Sequence, residues 1–227
     1  MSPQNRRIVV EVAVWWIVCQ ALLFASVLIA GAGGFWERNA GILPAAFCLL
    51  FPAVLEWKLR LGPDALGLSA RPFLKPLAIA AVLCLIVFPS YIAGYELWSR
   101  LVSGRPFTGF GGLGTDWSGM LDLVMVQVIA VALPEEVFYR GWMQSRLALV
   151  FQGRVRVLGT SIGWHIPVTA ALFALSHLVL VPAPFRLAVF FPALLFGWLR
   201  ERTGSVVAPI AFHAACNILL DLLQKVH

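Results

Sequence analysis

The sequence predicts an all-α, polytopic membrane protein with about seven transmembrane helices. Three observations carry this. Of the 227 residues, 60% are hydrophobic and only 12% are charged, with a mean hydropathy of +0.87. A soluble domain typically has about 25% charged residues and at most about half apolar ones. Apolar runs recur along the whole chain, each near the roughly 20 residues that a helix needs to cross a bilayer. The basic residues other than Arg140 can be assigned to segments between those runs and are biased to one side. A sizeable soluble domain is excluded. The net charge of +6 and the pI near 9.6 are accounted for by basic links, so no nucleic-acid partner is implied and the lipid bilayer is the expected one.

The first span is predicted over 8–30, with Glu11 near its start. The run is too long for the apolar region of a cleavable leader, and no clear small-residue cleavage site follows it. After Trp36-Glu37-Arg38-Asn39, span two covers 40–55. A basic link follows, with Lys58, Arg60, Arg71 and Lys75 around the turn signal Gly62-Pro63-Asp64. Span three covers 76–97. The link Ser103–Ser118 carries Gly104, Gly109, Gly111, Gly112 and Gly114 and reads as a loop. Span four covers 117–133 and continues as a helix to Phe151, with Gly153-Arg154-Val155-Arg156 ending it. Span five covers 161–181 and is closed by Pro182-Ala183-Pro184. Span six covers 185–199, Arg200-Glu201-Arg202-Thr203-Gly204 is a tight link, and span seven covers 206–223. Residues 1–116 carry no chemical motif, whereas 117–227 carry several.

Charge sets an expected orientation. A cytoplasmic N-terminus places eleven basic residues inside (Arg6, Arg7, Lys58, Arg60, Arg71, Lys75, Arg146, Arg154, Arg156, Arg200, Arg202). It places five outside (Arg38, Arg100, Arg105, Arg186, Lys225), as the positive-inside rule requires. The expected location is the cell membrane, multi-pass, N-terminus inside. The four cysteines, Cys19, Cys48, Cys84 and Cys216, all lie in apolar runs without ligand spacing. They read as reduced thiols serving as small apolar residues.

The stretch Leu133-Pro134-Glu135-Glu136-Val137-Phe138-Tyr139-Arg140 departs from this pattern. Upstream, Met120–Ala132 is apolar except for Asp122 and Gln127. One acidic residue at a bilayer centre costs about 2.5–3.5 kcal/mol even on the low, insertion-based scale. Glu136 and Arg140 are four apart with the acid N-terminal, the favourable order for an intrahelical ion pair. Glu135 lies about 100° round the helix and cannot share that partner equally. One carboxylate is thus held and the other free; the alternative is that both form a solvated helix end among headgroups.

Further polar groups interrupt other spans: His177 in span five, and His213 with Asn217, four residues apart on one face of span seven. Helix bundles build sites from such inward-facing groups. A carboxylate beside an imidazole can hold and deprotonate a water. A second imidazole with an amide can donate to a developing oxyanion. These are the parts of a peptide hydrolase without a covalent nucleophile. Zn²⁺ on His, His and Glu is another possibility, but HExxH is absent and no metal is assigned. His165, at the start of span five, fits an interfacial position. Ser176 and Cys216 adjoin His177 and His213, and helix neighbours do not face each other, so neither is favoured as nucleophile. Buried Glu and His also mark proton relays and transporters.

The set Glu135-Glu136-x-x-x-Arg140, Phe173-x-x-x-His177 and His213-x-x-x-Asn217, in order on three spans, resembles the CPBP intramembrane glutamic proteases. These are the type II CAAX prenyl endopeptidases and bacteriocin-processing or immunity proteins, also called the Abi family. The resemblance covers Met120–Leu223. It implies Glu135 as general base acting on water with His177, His213 and Asn217 as oxyanion donors, Glu136 and Arg140 as the supporting pair, and Phe173 packing beside the site. It implies a metal-independent endopeptidase without cofactor, acting on a peptide or protein with a membrane-proximal or lipidated segment. It also leaves room for a non-catalytic immunity or scaffold protein of the same fold. The predicted spans put Glu135 near the inner end of span four and His177 near the outer end of span five. Their convergence requires one of those boundaries to move.

Overall fold

A computed structural model describes residues 1–60, 62–68, 73–104, 106–109 and 117–227. All seven predicted spans are helical. Helix α1 is Pro3–Ala30, capped by the Ser2 hydroxyl, which accepts from the Asn5 N–H at 3.1 Å. A short helical turn, Gly34–Asn39, leads to α2, Ile42–Leu59. Helix α3 is Leu74–Trp98 and ends in a π turn, Ser99–Ser103. Helix α4 runs over 117–150, α5 is His165–Leu180, α6 is Phe190–Thr203 and α7 is Val207–Val226. Among the described residues, four stretches are long and apolar enough to cross a membrane: Pro3–Ala30, Gly34–Leu59, Leu74–Val102 and Val207–Val226. His165–Leu180 is a shorter apolar helix. The architecture is that of a polytopic helical membrane protein.

Two boundaries differ from the sequence expectation. Gly153–Arg156 does not simply end a helix, and α5 does not begin at Ser161. Val155–Val157 and Thr160–Ile162 pair as an antiparallel hairpin, and α5 starts at His165. β-Branched residues alternate in both short strands, and Leu158 and Gly159 supply the two positive φ angles (49° and 76°) that a tight hairpin turn needs. Span six also shifts: a 3₁₀ turn occupies Pro184–Val189, and α6 extends to Thr203, where Gly204 at φ 68° ends it. Arg71, Arg105 and half of the glycine-rich link, including residues 110–116, lie outside the described residues.

Helix α4 alternates between α and π winding, with π segments at Val126–Ala132 and Val137–Met143. Pro134 lacks an N–H, and its ring crowds the carbonyl four residues back, at Ala130; the wide turn just upstream accommodates both. From Glu136 to Gln144 every α4 residue is buried. The other helices enclose it. Phe47 and Phe51 of α2 pack on Phe138 and Trp142 of α4. Helix α1 packs on α2, α4 and α5, and α7 on α3, α4 and α6. Arg146 of α4 pairs with Glu11 of α1 at 2.6 Å. Helix α6 approaches closely at Gly197, where a Cβ would lie 2.7 Å from Ile166 Cγ2 and 2.9 Å from Gln144 Oε1.

Candidate active site

The site is built on the buried middle of α4. The Arg140 Nη1 donates to Glu136 Oε1 at 2.9 Å, and both side chains are 0% exposed. A buried ion pair needs further partners to offset desolvation. Arg140 Nη2 donates to the Ala193 carbonyl at 3.3 Å, and its guanidinium lies over the rings of Phe173 and Phe196, 4.4 and 4.9 Å from their centroids. The predicted supporting pair forms as its i,i+4 spacing required, and Phe173 sits at the centre of the cluster. Phe173 meets Tyr139, His177 and His213 edge-on.

His213 brings α7 into the same cluster. Its ring stacks on Phe196 (4.8 Å, 14°), and its Nδ1 lies 2.8 Å from Glu136 Oε1. A carboxylate accepts, so Nδ1 carries the proton, and the opposite nitrogen faces Glu135, with Nε2 3.8 Å from Glu135 Oε2. The Glu135 side chain is 28% exposed, and its Oε2 has no hydrogen-bond partner among the described residues. Glu136 thus accepts from Arg140 and His213 on one oxygen, Oε1, while the Oε2 of each glutamate has no partner among the described residues.

Glu135 opens into a cavity of about 250 Å³ whose lining includes His177, Tyr139, Phe173 and Ser176. His177 Nδ1 lies 2.9 Å from the Phe173 carbonyl. A carbonyl only accepts, so Nδ1–H is the donor, and in the neutral ring Nε2 keeps its lone pair. The boundary that moves is that of span five: α5 begins at His165 rather than Ser161, and Glu135 and His177 line one cavity. His177 lies three residues before the end of α5.

Asn217 is placed differently from its partners. Its Nδ2 donates to Gln127 Oε1 at 2.9 Å. Of the predicted catalytic residues, Glu135 and His177 line the cavity, whereas His213 and Asn217 do not. Gln127 carried a sequence signal, as the single amide in an apolar run, but not one that pointed to Asn217. His165, the first residue of α5, is fully buried within the protein, with Nε2 3.1 Å from Glu201 Oε1 and Nδ1 3.1 Å from Arg154 Nη1. Gln144 donates to the same Glu201 oxygen at 3.0 Å, so this network ties α4, α5 and α6 together away from the cavity. Ser176 Oγ is engaged by Tyr139 (2.7 Å), Trp16 (3.1 Å) and the Leu172 carbonyl (2.9 Å), which does not favour a nucleophilic role.

The motif-free half contributes to the site as well. Cys19, Leu23 and Ser26 of α1, and Pro44, Ala45 and Cys48 of α2, also line the cavity. Small apolar residues in an apolar helix carry no signal of such a role.

Comparison with known proteins gives one family match. Residues 117–219 match the family model of type II CAAX prenyl endopeptidases, Rce1-like. Comparisons with curated proteins and with solved structures give no match. The matched segment contains Glu135, Glu136, Arg140, Phe173, His177, His213 and Asn217. Over residues 117–219, the chain thus carries a domain of the Rce1-like type II CAAX prenyl endopeptidase family.

Proposed function

We propose that the protein is an intramembrane endopeptidase of glutamic type that hydrolyses a peptide bond near the membrane with water activated by Glu135 and His177. The observation that carries this reading is the unpartnered Glu135 carboxylate oxygen, in one cavity with His177 and 3.8 Å from His213 Nε2. Water sits between Glu135 and the Nε2 lone pair of His177. Glu135 takes a proton as the oxygen attacks the scissile carbonyl, then returns it to the leaving amine. No covalent intermediate forms, and water is divided between the new acid and the new amine.

The developing oxyanion falls to His213. With Nδ1–H committed to Glu136, the ring can donate through Nε2 only as an imidazolium. Asn217, held by Gln127, fixes the α4–α7 contact and positions the His213 ring one turn away. The substrate is a peptide or protein with a membrane-proximal or lipidated segment. With the N-terminus cytoplasmic, the cavity lies in the outer half of the bilayer, where α1 ends and α2 begins.

The test is cleavage of lipidated and unlipidated membrane-proximal peptides by proteoliposomes. Glu135→Gln and His177→Ala are each expected to lose about 10²–10⁴-fold in rate, the usual contribution of a general base, while inserting and accumulating normally. Full activity in both variants would remove the mechanism and leave the polar cluster a structural role in a non-catalytic membrane partner.

A further inference from the structure

The hairpin that joins α4 to α5 exposes apolar side chains in a basic setting. Val155 is 64% exposed, and Leu158, in the turn, is 81% exposed. Trp164, just before α5, is 69% exposed. Val155 and Val157 share one face of their strand, and the exposed Arg156 lies on the other. Residues 151–164 include Arg154 and Arg156 and no acid.

Two contacts fix the height of the hairpin on the bundle. Trp198 Nε1 donates to the Val157 carbonyl at 3.3 Å, and Arg202 Nη1 donates to the Gly159 carbonyl at 3.2 Å. Both donors come from the last turns of α6, where its apolar sequence gives way to Arg200-Glu201-Arg202. A tryptophan followed one turn later by an arginine marks a membrane–water boundary, with the ring at headgroup level and the guanidinium beyond it. The hairpin therefore lies along that boundary and does not stand off in water. The Glu11–Arg146 pair puts the start of α1, with exposed Arg6 and Arg7, at the same end of the bundle.

We propose that the 155–162 hairpin is a binding surface for anionic phospholipid: Leu158 and Val155 enter the acyl boundary, and Arg156 and Arg202 engage the phosphates. Apolar side chains framed by arginines match a partner that is apolar at one depth and negatively charged at the next, which is a leaflet containing anionic lipid. The contact ties the adjoining ends of α4 and α5 to the membrane surface. It does not depend on the proposed hydrolysis.

The experiment attaches a small environment-sensitive fluorophore to Leu158→Cys in the full-length protein. The protein is placed in nanodiscs of phosphatidylcholine alone, or of phosphatidylcholine mixed with phosphatidylglycerol. Protein with Leu158 intact, taken through the same labelling, sets the background from the native thiols. Two quenchers read the depth: a lipid nitroxide high on the acyl chain, and acrylamide in the water. The expected result is strong nitroxide and weak acrylamide quenching, with the ratio of the two higher when phosphatidylglycerol is present. Arg156→Gln with Arg202→Gln is expected to return that ratio to its value in phosphatidylcholine alone. Arg156→Gln by itself, at an exposed side chain, is expected to lower the ratio part of the way and serves where the double variant does not fold. A label quenched by acrylamide and untouched by the nitroxide in both discs overturns the contact and leaves the face to a soluble partner. A ratio indifferent to phosphatidylglycerol, or to loss of the arginines in folded protein, overturns the preference for anionic lipid.

Discussion

The first three long helices and the motif helices are similarly apolar, yet they occupy opposite positions. In the best apolar windows of α1, Gly34–Leu59 and α3, hydropathy is 2.3, 1.7 and 2.3, and only 17, 28 and 6% of residues are buried. Helix α4, which carries two adjacent glutamates and an arginine, is buried without a break from Glu136 to Gln144. In water the more polar segment would lie outside. In a bilayer the order inverts: apolar side chains are at no disadvantage against lipid, while ionised groups must find their partners inside the protein. Leu85 and Ile86 of α3, 76 and 68% exposed, show the lipid-facing extreme, and Glu136 and Arg140, at 0%, the opposite one.

That contrast is open to direct attack. The largest stability effect is expected from Arg140→Ala. It strands the buried Glu136 carboxylate and empties the space between Phe173 and Phe196, so the loss should be about 3–5 kcal/mol, read as reduced accumulation and a lower midpoint in denaturant. Replacing both members, Glu136→Gln with Arg140→Met, should recover part of that stability but not activity. A moderate effect is expected at the α4–α6 contact. Gly197→Ala places a methyl against Ile166 and Gln144, with an expected cost of about 1–3 kcal/mol for overpacking. The smallest effect is expected on the lipid face, where Leu85→Ala should stay within about 0.5 kcal/mol and leave cleavage unchanged. A large loss from Leu85→Ala, with little from Arg140→Ala, would reverse the inside and outside assigned here.

The same physics explains what the sequence made legible. Helices were readable because hydropathy and length alone specify a span. The Glu136–Arg140 pair was readable because i,i+4 geometry is local, and the idle carboxylate of Glu135 followed from it. The hairpin at 155–162 was misread because two three-residue strands fall below any periodic signal, and a non-glycine residue, Leu158, takes a positive φ in the turn. The pairing of His165 with Glu201 was not legible because that partner comes from α6, a contact that no local pattern encodes. For the same reason the α1 and α2 lining of the cavity was invisible: Cys19 and Cys48 reach it only when α1 and α2 are packed side by side.

The account stands on water, rather than a side chain, attacking the peptide carbonyl from the Glu135–His177 pair. Turnover in proteoliposomes with hydroxylamine present tests this most directly, because an acyl-enzyme is intercepted as a hydroxamate whereas direct attack by water gives only the free acid. The account predicts free acid alone at every hydroxylamine concentration that leaves the protein folded. A hydroxamate product, lost on replacing a serine or cysteine of the cavity such as Ser176, would contradict it.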